Sequence, residues 1–392
     1  GNDDIGDAST RFFYLSNVDM NNSNRSATFG LNRSYTRTGV AISRYSNPNI
    51  SWETSRKTNV ALEIGLFNKL NMQADFFHDY RSNILMARTD IPSTVGVAST
   101  VYANLGEASS RGVDLSLDYS TTLSSSIWLQ SRANFTFARS RFEVYEEPTY
   151  SESWLSHVGQ PLTQRWGYIA ERLFVDDAEV ANSPLQNFGE VRGGDLKYKD
   201  VNGDGQITAL DKVPLGHPTT PEINYGFGVS IGNQQWDVSA FFQGLARESF
   251  WINTAATSPF ASYTYDQESF ENGTILQNQL LQAYADDHWS EDNQNLYALW
   301  PRLGIGQNEN NQQDNSWFMR NGAFLRLTQA DLGYTLSPKV SQRIHMEKIR
   351  IYGNATNLIT WSSFKLWDVE MAGNGLGYPV QRVYNIGLLA SF

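Results

Sequence analysis

The sequence has no cysteine among its 392 residues, so disulfide scaffolds and thiolate metal sites are both excluded. Charge is also scarce, at 18% Asp, Glu, Lys and Arg against roughly 25% in a typical soluble domain. What charge there is leans acidic, 41 to 30, and no run of Lys or Arg interrupts it. A net charge of −11 gives no attraction for phosphate backbones, which argues against nucleic acid as a partner. No apolar run approaches the roughly 20 residues that a membrane helix needs. The opening GNDDIGDAST has no basic-then-apolar signal and no Met, so the chain is expected to be a processed product or a piece of something longer.

Aromatic residues, by contrast, are abundant: 13% of the chain, with 11 Trp and 19 Tyr. The periodicity of the chain is two almost everywhere that it is clear. In VALEIGLF, Val60, Leu62, Ile64 and Leu66 oppose Ala61, Glu63 and Gly65. GVDLSLDY, INYGFGVSIG and WDVSAFFQG repeat the alternation, and such runs are strands with one apolar and one polar face. A β-sandwich buries the apolar face against a second sheet, whereas a membrane barrel turns it to lipid. Short turns at 67–71, 120–125 and 232–235 alternate with long polar segments at 89–108, 144–221, 247–321 and 361–381. That alternation is expected of an outer-membrane barrel with short periplasmic turns and long extracellular loops.

The chain ends RVYNIGLLASF, with Tyr384, Ile386, Leu388, Ala390 and Phe392 on one face. A strand closing on Phe resembles the insertion signal of outer-membrane barrels, carried here by Tyr384 and Phe392. Counting back from that end predicts strands near 346–360, 322–336, 235–247, 222–232, 126–143, 109–120, 71–88 and 55–67. Residues 9–40 add a further hairpin or belong to an outside loop. The predicted fold is therefore all-β: a transmembrane antiparallel β-barrel of which 1–392 supplies the C-terminal portion, about nine to eleven strands. Open edges cannot stand in lipid, so the remaining strands must come from elsewhere.

At this point several ordered segments resemble one family. NPNISWETSRKTNVALEIGLF, RSNILMARTDIPSTVGVASTVYANLGEASSRGVDLSLDY, YKDVNGDGQITALDKVPLGHPTTPEINYGFG, DHWSEDNQNLYALWPRL, SWFMRNGAFLRLTQADLGYTLS and IRIYGNATNLITWSSFKLWDVEM are similar to SusC/RagA-type TonB-linked outer-membrane transporters. Asp368-Val369-Glu370 departs from the pattern, since the family often has Pro in the middle. The resemblance implies a 22-stranded barrel in the cell outer membrane and an N-terminal plug and barrel portion. It also implies energy from TonB-ExbB-ExbD through an N-terminal segment, and import of glycans or peptides with a SusD-like surface lipoprotein. Two alternatives stay open: a secreted calcium-dependent glycan-binding β-sandwich, or a passive porin.

Candidate sites are few. DVNGDGQITALD places Asp200, Asn202, Asp204, Gln206 and Asp211 at calcium-loop positions, with Gly205 for the sharp turn, so structural calcium is the expected cofactor. The same spacing also suits a turn whose Asp and Asn side chains bond their own backbone. Trp154, Trp251, Tyr263, Tyr265, Trp361, Phe364 and Trp367 could stack on a ligand or pack at an interface. GVSIG fits a nucleophile-elbow pattern but lies inside an alternating strand, and His78, His157, His217, His288 and His345 show no ligand spacing. No enzymatic constellation is present. Asp114, Asp118, Arg132, Asn134, Asp237, Arg350 and Asn354 are expected to face a polar lumen, pairing with one another or with a plug.

Overall fold

Period-two alternation is realised as one antiparallel sheet in which neighbours in sequence are neighbours in space. The computed structural model describes residues 12, 14–260, 262–264, 275–277, 280–304, 308–343 and 345–392. A hairpin, β1 (Asn17–Phe29) and β2 (Tyr35–Arg44), comes first and, among the described residues, forms a sheet of its own. Then follow β3 (Thr54–Leu66), β4 (Leu70–Ala87), β5 (Tyr102–Ser124), β6 (Ile127–Val144), β7 (Ile223–Gly232) and β8 (Trp236–Ala246). β9 (Phe324–Thr335), β10 (Lys348–Ser362) and β11 (Val383–Ser391) complete the nine-stranded sheet β3 to β11. Among the described residues its two free edges are β3 and β11.

The register gathers the apolar residues onto one face. Val60 pairs with Phe76, Phe76 with Val113, and Val113 with Phe137, while Ile231 stands opposite Val238 and Ile351 opposite Leu388. These side chains are not covered: Val60 is 64% exposed and Ile386 90%. Among the described residues no second sheet packs on this face. A soluble sandwich would bury it, so that alternative fails here. The opposite face carries Asp75, Asp114, Asn134, Ser230, Asp237 and Asn354, the polar lumen side of a membrane barrel.

Connections split by length between the two ends of the sheet. The turns 67–69, 125–126, 233–235 and 336–347 lie at one end, the last holding a short helix, Pro338–Arg343. Segments 88–101, 145–222, 247–323 and 363–382 lie at the other. β5 begins at Tyr102 rather than near residue 109, continuing to pair with β4 beyond two register shifts around Ile84. Above the apolar belt nothing enforces alternation, so the small and polar run GEASS gives no period to read.

The close-packed core is not between the sheet's faces. It lies in the long segments, where Tyr168, Leu173, Leu196, Tyr198, Phe250, Tyr284, Trp289, Trp300, Phe318, Phe364 and Val369 form one cluster. The loops thus fold into a cap over the end of the sheet that carries them.

Candidate functional site

The cap is built from short pairings inside two of the long segments, while backbone bonds such as those from the Tyr168 amide to the Asp314 carbonyl at 2.8 Å and from the Asn253 amide to the Gly373 carbonyl at 2.9 Å tie three segments together. Arg165–Gly167 pairs with Val213–Leu215, Ala170–Leu173 with Leu196–Tyr198, and Ser249–Trp251 with Met319–Asn321. Rings fill the space between them: Tyr284 stacks on Trp300 at 4.2 Å, and Phe250 meets Phe364 edge-on at 5.1 Å. Burial pushes the Tyr168 phenol up to about 12 and raises those of Tyr198 and Tyr284, so all three stay neutral at ordinary pH.

An Asn-rich stretch, 308–315, supplies the polar half of this interior. Gln186 Nε2 donates to Asn310 Oδ1 at 2.7 Å and to the Leu196 carbonyl at 2.9 Å, and Tyr198 donates its hydroxyl to the Asn310 carbonyl at 2.5 Å. The fully buried Asp195 accepts from Asn308 and Asn311 side chains at 3.1 and 3.0 Å. Arg302 Nε lies 2.9 Å from Asp195 Oδ1 but off its N–H direction, an ion pair rather than a hydrogen bond. In the sequence this stretch reads only as a polar loop. Its density of Asn and Gln between Trp300 and Trp317 was the available signal.

Among the described residues, clefts open on the cap, three of which bear on the site. One of about 500 Å³ is walled by Glu190, Arg302, Asn308, Glu309 and Trp300. A second of about 780 Å³ shares Arg302 and adds Asp177, His288, Trp289 and Glu291. Trp289 is buried with its indole N–H unpaired among the described residues. The third, about 560 Å³, holds Trp251 beside Arg165, whose guanidinium sits 5.4 Å from the ring.

The other sequence-selected aromatics are scattered. Trp154 is half-buried and donates its indole N–H to the Leu210 carbonyl at 2.9 Å. Phe364 is buried and meets Trp367, which donates to the Ala372 carbonyl at 2.8 Å. Trp361 stands 47% exposed on the apolar face of β10, near Phe242. Tyr263 belongs to a described strand without a described side chain, and Tyr265 lies outside the described residues. Tyr384 and Phe392 are exposed on the apolar side of the last strand.

DVNGDGQITALD lies in the 145–222 segment of the cap as a self-bonded turn. Asp200 accepts from the Gly203 and Gly205 amides at 2.7 and 2.8 Å, Asn202 from Asp204 at 3.2 Å, and Asp204 from Gln206 at 2.9 Å. Gly205 adopts φ +82°, which an L side chain resists. Asp211 is fully buried, its oxygens taken by the Val201 and Thr208 amides at 2.8 Å each. No group of three acidic or imidazole side chains gathers as a metal site among the described residues. Asp211 therefore acts as an internal cap; Asp200, Asn202, Asp204 and the Gln206 carbonyl remain as oxygens on the accessible side.

On the lumen side, the polar residues do pair with one another. Arg132 meets Asp118 at 2.6 Å, Arg350 meets Asp237 at 2.5 Å, and Asn385 donates to Asn354 at 2.9 Å. Asp75 and Asp114 stand directly opposite each other on β4 and β5, a like-charge pair that costs stability unless a cation meets it. Higher up, Arg326 on β9 is 3% exposed and holds Asp368 with two bonds of 2.6 and 2.7 Å, with Glu370 as a second partner. The departure Asp368-Val369-Glu370 is thus the clasp that fixes segment 363–382 to the sheet.

With a lipid-type outer face, polar lumen and loop cap in place, comparison with known proteins is direct. A family model described as "TonB dependent receptor-like, beta-barrel" matches residues 18–358. The chain belongs to this TonB-dependent receptor family. TonB-dependent receptor P26 of Formosa agariphila is 26% identical over 91% of the chain, and TonB-dependent receptor P3 of the same organism 22% identical over 90%. The chain spans 36% of the length of each of these TonB-dependent receptors. Among solved structures, the RagAB peptide importer in its closed-closed state matches 97% of the chain and 39% of its own, with TM-score 0.62 and 22% identity. Its open-open state matches with TM-score 0.62 and 21% identity over 97% of the chain and 38% of its own. These structures share the fold, so the nine-stranded sheet is a segment of a TonB-dependent barrel.

Proposed function

We propose that this chain is the C-terminal barrel portion of a TonB-dependent importer of the outer membrane, taking up peptides or glycans under a SusD-like surface lipoprotein. The observation that carries the proposal is the pairing of an uncovered apolar sheet face with a folded loop cap at one end only. Such a cap is unnecessary for a passive pore but suits a receptor that must hold its cargo before transport. Its clefts are walled by carboxylates, guanidinium, amides and indole rings, groups that recognise amide-rich or hydroxyl-rich oligomers. The structural likeness to RagAB, a peptide importer, favours peptides between the two. Energy would reach the chain through an N-terminal segment and plug supplied by the rest of the protein. Within this chain, the clasp at Arg326 and the Asn-rich interior would hold the cap in shape for the lipoprotein to close on.

Purification of the full-length parent from detergent-solubilised outer membranes provides the test. The expected result is a heat-modifiable barrel that co-elutes with about one lipoprotein per barrel and whose peptide or glycan uptake stops when TonB is deleted. Uptake that persists without TonB, by a barrel that elutes alone, would support the passive porin instead.

A further inference from the structure

The register places a row of arginines on the apolar face itself, at the end of the sheet that carries the long loops. The apolar row Val60, Phe76, Val113 and Phe137 runs across β3 to β6. Two residues further toward the loops, the same face presents Thr58, His78, Arg111 and Arg139; two further again, Arg56, Tyr80, Ser109 and Arg141. No register shift interrupts these pairings between the apolar row and the outer basic row, so all three rows face one way. At about 3.4 Å per residue the basic rows stand roughly 7 and 14 Å beyond the apolar one.

Arg111 opposes Arg139 directly, an unfavourable pairing unless an anion lies between them. Among the described carboxylates near this patch, Glu222 is paired with arginine, meeting Arg139 at 3.4 Å and Arg247 at 2.6 Å. Glu143 accepts from the neutral hydroxyl of Ser109 at 2.5 Å and Glu107 from that of Tyr80, so both keep their charge. The patch is basic by the excess of Arg56, Arg111 and Arg141 over these two. Among the described residues Arg56, Arg111 and Arg141 make no ion pair.

We infer that Arg56, Arg111 and Arg141, with His78, form a binding site for the phosphate of an anionic lipid headgroup in the outer leaflet. The inference rests on the reading that this face meets lipid. Guanidinium forks match phosphate oxygens, and at interface depth a lipid-facing arginine carries little of the penalty it has at midplane. A lipid is the favoured occupant because the patch continues without a break into the apolar rows that would receive its acyl chains. A free ion would use the arginines alone.

The test uses the full-length parent protein, delipidated in detergent and titrated with diphosphorylated lipid A, its dephosphorylated form, or inorganic phosphate, with bound species counted by native mass spectrometry. Wild type should bind the phosphorylated lipid at least about tenfold more tightly than the R56Q/R111Q/R141Q variant, since each basic residue near an anionic surface contributes separately. The corresponding triple Lys variant, which keeps the charge and loses the fork, should bind with an affinity between those of wild type and the Gln variant. Equal binding by wild type and the Gln variant, equal binding of dephosphorylated lipid, or displacement by millimolar inorganic phosphate would each overturn the proposal. Reconstitution into bilayers with retained heat modifiability is measured in parallel. A protein that inserts yet shows no phosphate preference loses only this site; one that fails to insert loses the membrane reading as well.

Discussion

At the scale of single residues, the cap is held by charges with few alternatives. Arg326 is almost wholly buried, and removing its carboxylates leaves a guanidinium with little water to turn to. An Asp368→Asn, Glu370→Gln double variant should loosen segment 363–382 by about 3 kcal/mol, in the range for a broken buried pair. Limited proteolysis of the parent should then nick that segment first, with the sheet intact; unchanged cleavage would show that the clasp is not what fixes it. Glu179 offers a pH-dependent case. The hydrogen bond from Arg172 is the chief cause holding its carboxyl down, from 4.5 to about 2, helped by the Val175 amide and Lys197. Because the folded value is depressed, the stabilisation is fully present above about pH 4.5 and is lost as pH falls through about 2. Hydrogen-exchange protection of residues 172–180, corrected for intrinsic rate, should fall between pH 5 and 2 in wild type (roughly the interval over which a depressed carboxylate titrates). A Glu179→Gln variant should be weak and flat over the same interval.

At the scale of elements, strands were far easier to read than the cap. Thr54–Leu66, Leu70–Ala87 and Ile223–Gly232 lie within a residue or two of their predicted bounds, because lipid on one side and polar lumen on the other force strict alternation. Phe241 breaks the pattern on the lumen side and lies over Gly226 and Gly228; a Cβ on Gly228 would come within 2.7 Å of it. The cap has no such forcing period. Phe364 looks like a free loop aromatic in sequence, yet it meets Phe250 in a segment far away along the chain, with Trp367 packed against it. The Asp-rich turn shows the same limit, since spacing alone did not distinguish Asp211 as an internal cap from Asp211 as a ligand. We propose that calcium joins this turn through Asp200, Asn202, Asp204 and the Gln206 carbonyl, with water completing the six to eight oxygens the ion favours. After exhaustive dialysis, wild type should keep about one calcium per chain and Asp204→Ala none. Asp211→Ala should instead destabilise the turn by about 1–3 kcal/mol, the range for buried amides left unpaired. Wild type that loses all calcium on dialysis would leave the self-bonded turn as the whole account.

At the scale of the whole molecule, the sheet is incomplete by itself. Among the described residues β3 and β11 each present an unpaired edge, and their outward residues Val60, Leu62, Ile386 and Leu388 are all exposed. An open edge in hydrocarbon leaves backbone groups unsatisfied at several kcal/mol each, so nine strands alone have no stable place in a bilayer. The chain's share of its relatives, 36%, suits a segment that requires the remaining strands to close. Expressed alone and refolded into detergent or lipid, residues 1–392 should aggregate or give no heat-modifiable species. Mixed with a separately expressed N-terminal portion of the parent, the same chain should assemble into one, because pairing both edges satisfies every strand at once. Edge substitutions that remove backbone donors, such as Leu62→Pro on β3 or Ile386→Pro on β11, should block that assembly while an equivalent change in the turn at 233–235 leaves it largely intact. Heat-modifiable barrels formed by the isolated chain would instead mean that β3 and β11 close on each other, and the segment would have to be read as a small barrel in its own right.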